Sequence, residues 1–218
     1  MTSLTPIPAR PRVKAKPSRK SFWIKQFHTW HWMSSAISLI GLVLFTITGI
    51  TLNHAAEIEG KPVVQERAAT LPPALLPQVA PDDKPDAKKP LPPAVAKWAG
   101  QALALAPAGD AEWSADEIYL AMPRPGGDGW IAIDRATGAV TTESTDRGWI
   151  SYLNDLHKGR NAGTAWKWFI DLFAFACLVF ALTGLLLLQL HSAKRRSTWP
   201  MVGFGLVIPA AIAIFFIH

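Results

Sequence analysis

Six histidines carry most of the chemical potential of this chain: His28, His31, His54, His157, His191 and His218. A neutral imidazole offers one ring nitrogen as a metal ligand, or moves a proton near neutral pH. Their placement is ordered. His28 and His31 lie three apart near the start of a run, Gln26 to Ala56, that holds no Lys, Arg, Asp or Glu, and His54 lies near its end. His157 sits in "ISYLNDLHKGRNAG" (150–163), flanked by Lys158 and Arg160, just before a second apolar run, Trp168 to Leu190, and His191 follows that run directly. If the two runs cross a membrane in opposite directions, His28, His31 and His191 share one level and His54 and His157 the other. No cysteine or carboxylate cluster joins them to complete a zinc or non-haem iron site.

Paired imidazoles from different helices at one level suit a bis-histidine b-type haem, whose iron takes axial nitrogens while the helices supply an apolar slot. Lys158, Arg160 and, at the other level, Arg195 could pair with haem propionates. The plainer alternative is that these are interfacial histidines, rings buried and nitrogens wet, with Lys158 and Arg160 on lipid headgroups. His28 reads more readily as a tail residue than as a ligand, and His218 as having no site role. From His31 to His54 is about 34 Å of helical rise, far for a direct electron hop. Two haems would therefore need a relay or inward tilt; otherwise only one site is filled.

The elements that must position these residues follow from charge and hydropathy. Residues 1–26 carry seven Lys/Arg and no acid, whereas 55–165 hold 15 of the 16 acids. This split argues for membrane topology and against nucleic-acid binding. The core of the first run, Met33 to Leu52, the run from Trp168 to Leu190 (charged only at Asp171) and the run from Trp199 to Ile217 (broken by Pro209) are read as three transmembrane helices. The basic tail and Lys194-Arg195-Arg196 place the N-terminus and the second loop in the cytoplasm, leaving the middle segment and the C-terminus outside, with tryptophans at both interfaces. The first helix is read as an uncleaved anchor. The lone Cys177 lies in an apolar run, so no disulfide framework or CxxC site forms within the chain. An acid such as Asp171 within a span is costly and usually paired; Arg160 and Lys167 are its nearest cations in sequence.

The expected division is a basic tail (1–21), helix one (22–54), a Pro-rich periplasmic linker (55–93), a small α+β module (94–149), an interfacial helix with LHKGR (150–165), helix two (166–191), a cytoplasmic loop (192–198) and helix three (199–218). The linker reading rests on eight prolines between Pro72 and Pro93. In the module, AVAKWAGQALALA (94–106) has helical spacing with Val95, Trp98, Ala102 and Leu105 on one face. Three strands follow, with turns at Gly126–Gly129 and Ala136–Gly138. Small residues (Ser34, Ser35, Ser38, Gly41, Thr48, Gly49) permit close helix approach. A weak repeat relates 29–54 to 165–191: Trp-x-Trp, then Phe-x-x-Thr-Gly-x-x-Leu, then His. On helices of opposite direction it suggests an inverted pair.

"HTWHWMSSAISLIGLVLFTITGITLNHA" and "LNDLHKGRNAG…WFIDLFA…LTGLLL" together resemble the PepSY-associated transmembrane family, and "DRATGAV" resembles the tail of a PepSY-type module. The resemblance covers about residues 22–62 and 95–196. It implies an α-helical integral membrane protein with three transmembrane helices and a small α+β PepSY-like insertion between helices one and two. It further implies the company of inner-membrane, haem-containing reductases of ferric iron–siderophore complexes, with His31, His54, His157 and His191 as axial ligands of one or two b-type haems. The helix count is lower than in longer relatives, so the chain is expected as a component of such a reductase. No GxGxxG follows a strand, so electrons would come from a cytoplasmic or membrane donor and pass to a periplasmic acceptor, ferric iron or a flavoprotein. Three helices give little wall around a macrocycle, and a homodimer is one way to complete it. The competing reading is a membrane-anchored PepSY-type binding or accessory module without a redox cofactor. A metal-ion transporter is disfavoured by the lack of polar residues at mid-membrane.

Overall fold

The computed structural model describes residues 19–58, 60–81 and 87–217, so the basic tail before Arg19 lies outside the described residues. The first apolar run forms one continuous helix, α1 (Arg19–Asn53), which a four-residue helix, α2 (Ala55–Ile58), follows. The segment expected as a linker is not one. It supplies strand β1 (Val63–Thr70), a 3-10 turn at Leu76–Gln78 and strand β2 (Ala87–Pro90). Helix α3 (Pro93–Leu103) comes next, then β3 (Asp110–Trp113), β4 (Glu117–Ala121), β5 (Gly127–Asp134) and β6 (Ala139–Asp146). The chain ends with α4 (Gly148–Lys158), α5 (Gly163–His191) and α6 (Thr198–Phe216). Among the described residues, α1, α5 and α6 are long and apolar enough to cross a membrane, as expected.

The six strands make one antiparallel sheet in the order β1-β6-β5-β4-β3-β2. Sequence patterning found only the β4–β6 meander. β1 was missed because it is an exposed edge strand without apolar alternation. β2 was missed because Lys88, Lys89 and Pro90 read as linker, yet Pro90 sits where an edge strand tolerates it. The Pro-rich segment also supplies core: Leu71, Val79 and Leu91 are buried with Val95, Ala99 and Leu103 of α3 against Ile118, Leu120, Ile131, Ile133 and Val140 of the sheet. The buried face of α3 is thus Val95-Ala99-Leu103, whereas Ala102 is exposed and Trp98 and Leu105 only flank the core. After Val95 the buried positions fall one residue later than expected, as an i, i+4, i+8 stripe against the sheet, and the helix stops at Leu103 with Ala104 in the left-handed region (φ 51°). Tyr119 and Trp130 stack on each other across β4 and β5 instead of entering the core.

Arg135 is the polar residue this core depends on. It is 1% exposed. Its Nε donates to Val79 O (3.0 Å), its Nη2 to Ala80 O (2.6 Å) and its Nη1 to Ser114 O, and the guanidinium lies over the Trp113 ring. One side chain therefore ties the segment after Leu76–Gln78 to the β3–β4 turn and to the β5–β6 turn, satisfying buried carbonyls that would otherwise be unpaired.

By its contacts the chain falls into two units: residues up to Leu39 with those from Ala174 onward, and Ile40–Phe173. In the second unit the hairpin between β4 and β5 is bolted to α4. The buried Asp155 carboxylate accepts the Gly126 N–H at 2.9 Å, and Arg147 donates to Asp128 at 2.7 Å. Gly126 has φ 70° and lies so close to Tyr152 that a Cβ would come within 2.8 Å of its backbone. Only glycine meets both demands.

Candidate functional site

In the unit of Ile40–Phe173, α4 presents Asn154 and His157, three residues apart and hence on one face, to Thr51 and Thr48 of α1. Thr51 Oγ1 lies 2.9 Å from Asn154 Oδ1, and Thr48 Oγ1 lies 2.8 Å from His157 Nδ1. Thr48 Oγ1 also has two backbone acceptors in reach, Leu44 O (3.0 Å) and Phe45 O (3.2 Å). Its contact with His157 Nδ1 is the shortest of the three, and which partner gives the proton there follows the tautomer of the ring. The His157 ring also lies 5.0 Å from the Phe45 ring and faces Gly49, where a Cβ would stand 3.5 Å from Cε1. Phe45, Thr48 and Gly49 thus form a cradle for His157. The helix that delivers the histidine is stopped by Gly159 (φ 66°), whose N–H reaches Asp155 O and Leu156 O, while Trp166 Nε1 donates to Leu156 O at 2.9 Å.

In the other unit the same three residue types recur on α5. His31 Nδ1 donates to Thr183 Oγ1 (3.1 Å) and to the Phe180 carbonyl (3.2 Å), and the His31 ring stacks on Phe180 with centroids 4.8 Å apart. A Cβ on Gly184 would stand 3.2 Å from His31 Cε1. Thr183 is 4% exposed and donates its proton to Val179 O at 2.6 Å. The repeat seen in sequence as Phe-x-x-Thr-Gly is therefore a receptor for a histidine, Phe45-Thr48-Gly49 for His157 and Phe180-Thr183-Gly184 for His31. Thr48 and Gly49 had been read as small residues easing helix approach, and the threonines' hydrogen-bonding role was not foreseen.

A carbonyl can only accept, so its partner nitrogen carries the proton. His191 Nδ1 donates to Leu187 O at 2.8 Å, and His54 Nδ1 donates to Glu57 Oε2 at 2.8 Å. At His31, His191 and His54 the Nδ1 thus faces an atom that can only accept, whereas at His157 it faces the Thr48 hydroxyl. Where an imidazole ligates a metal, an acceptor on its other nitrogen fixes the ring and raises its basicity.

The structure brings His31 and His191 to one cavity of about 490 Å³, lined also by Gly184, Leu187, Leu188 and Arg195. The His28 ring lies 6.4 Å from that of His191, edge to face. His54 is half exposed and turned to Glu57, whereas His157 meets Thr48 and Phe45. Lys158, Arg160 and Asp171 are exposed. Among the described residues no three His, Cys, Asp or Glu side chains gather as a bare metal ion would require. At the cavity of His31 and His191 two imidazoles meet an apolar wall of Leu187 and Leu188.

Three apolar helices and a one-helix, six-stranded antiparallel domain define an α-helical membrane protein with a small α+β domain. The chain belongs to the PepSY_TM-like family, whose model matches residues 22–218. Comparison with curated proteins and with solved structures returned no match.

Proposed function

We propose that this is an inner-membrane b-type haem electron-transfer protein, with His31 and His191 as axial ligands at the cytoplasmic side and His157, with His54 once released from Glu57, at the periplasmic side. The observation that supports it is that two imidazoles, His31 and His191, each with its Nδ1 held by a backbone carbonyl, line one largely apolar cavity. When bound, the haem would supply one-electron chemistry; the chain's part is to hold the axial nitrogens, exclude water with Leu187 and Leu188, and set a cation, Arg195, for a propionate. Lys158 and Arg160 serve the outer propionates. Electrons come from a cytoplasmic or membrane donor and leave to a periplasmic acceptor, in keeping with ferric iron or siderophore reduction, with a second copy completing the wall.

A dithionite-reduced minus oxidised spectrum of the detergent-purified protein, with pyridine haemochrome quantitation, tests this. A b-type spectrum is expected, abolished in part by His31→Ala and in part by His157→Ala. A colourless protein after expression with haem supplied would falsify the reading and turn attention to the sheet domain as an accessory binding module.

A further inference from the structure

The sheet face that buries the core is longer than the helix that covers it. β1, β5 and β6 have eight residues each, about 26 Å, whereas α3 has eleven, about 16 Å. α3 covers Val140, Ile133 and Ile118, and past its end the same face turns polar. Arg67 pairs with Thr142, and Gln65 with Ser144, in register on β1 and β6. The result is a recess of about 490 Å³, floored by these residues with Gly129, and walled by the chain from Leu103 to Ala108. That volume is in the range of small-molecule sites.

Among the described residues two guanidiniums stand at it and no carboxylate does. Both are braced. Arg67 Nη1 donates to Leu103 O (2.6 Å) and Nη2 to Gln65 Oε1 (3.3 Å), while Arg124 Nη2 donates to Ser144 Oγ (3.2 Å). Each guanidinium has five N–H donors, so these bonds orient the groups and leave others for a ligand. Alanine, leucine and methionine side chains line the rest and exclude water from one side. A forked guanidinium pairs best with a planar, two-oxygen anion.

We infer that this recess is a binding site for a small polycarboxylate anion, two carboxylates meeting Arg67 and Arg124 and the carbon body lying on the Leu103–Ala108 wall. The inference goes beyond the haem reading and does not depend on it, since the site is formed by the sheet domain alone.

The test is isothermal titration of citrate into the full chain in zwitterionic nanodiscs, with tricarballylate and the uncharged triamide of citrate as companions. Saturable binding of both acids and none of the amide is expected. Arg124→Gln and, independently, Ser144→Trp, which fills the floor of the recess, should each weaken citrate at least about tenfold, the scale of one charge-assisted bond. Arg124→Gln removes no bond to the core, so loss of folding does not cloud the result; an unchanged unfolding temperature verifies this. Failure of either acid to bind saturably, or binding that survives both substitutions, overturns the site. Because the titration needs no haem, a colourless protein that binds citrate separates failure of the electron-transfer reading from failure of this one.

Discussion

A histidine becomes a dependable ligand when something else decides which nitrogen carries its proton. Here a threonine stands at each of two rings. Thr183 gives its own proton to a carbonyl one helical turn back and accepts from His31, and Thr48, with carbonyls of its own turn in reach, stands 2.8 Å from His157 Nδ1. Replacing Thr183 by valine keeps the shape, removes the acceptor, and leaves His31 Nδ1 with only the longer bond to Phe180 O. Loss of such a partner typically lowers metal affinity ~10–100-fold. On the haem reading, Thr183→Val and Thr48→Val should weaken haem retention by that order and move the midpoint potential of the affected site upward, because a less basic imidazole donates less to ferric iron. Thr→Ser at either position should restore both, which a merely structural threonine would not require. Spectroelectrochemical titration of the four variants is the measurement. Sequence reading reached the histidines through their spacing, but not the threonines, because a hydroxyl within an apolar helix looks like any small interfacial residue until its partner helix is in place.

The two turns beside β5 carry the element-scale demands. Gly126 must hold a positive φ and admit the backbone of Tyr152, and Asp155 caps it through its N–H. Gly126→Ala should cost about 1–3 kcal/mol from backbone strain alone, with steric displacement of α4 added. Because α4 carries His157, thermal unfolding and the state of the outer site should change together, whereas Gly148→Ala, with open space around it, should change unfolding only. At the β5–β6 turn, Asp134 accepts N–H bonds from Thr137 and Ala136 and the Thr137 hydroxyl, all within 3.0 Å. Those bonds, Thr137's first, hold the Asp134 carboxyl below its ordinary value of 3.8. A lowered folded value means that the stabilisation is complete above the unfolded pKa and fades as pH falls through the folded one. Asp134→Asn should therefore lower the unfolding temperature at neutral pH by a small amount, with the gap to wild type closing as the solution is acidified below the ordinary carboxylate range. A gap constant with pH would show the turn to be insensitive to the charge. These turns were legible in sequence as Gly-Gly-Asp-Gly and Ala-Thr-Gly, although Gly127 to Gly129 proved to be strand.

For the whole molecule, the three spans were legible because hydropathy and charge act over long windows, and the family through the stretches around His54 and His157, while the sheet domain was half hidden because its edge strands and its Arg135 staple obey partners distant in sequence. Val79, Ala80 and Ser114 lie 56, 55 and 21 residues from the arginine that binds their carbonyls. Nothing local distinguishes such an arginine from a solvated one in "DRATGAV". Arg135→Leu should therefore cost about 3 kcal/mol or more, since buried acceptors lose their donor, and the loss should stay within the sheet domain. The spans need no such staple, being chosen by the bilayer, so the variant should still insert. Topology provides the check. With Cys177 replaced by alanine, a cysteine placed at Ala139, exposed on β6, should react with a membrane-impermeant maleimide in spheroplasts, and one at Arg196 should react only after lysis, given the charge asymmetry of the chain. Arg135→Leu should leave the two labelling patterns intact while making the sheet domain sensitive to protease. Labelling at Arg196 in intact spheroplasts would invert the proposed orientation and, on the haem reading, would put His31 and His191, not His157, on the side of the electron acceptor.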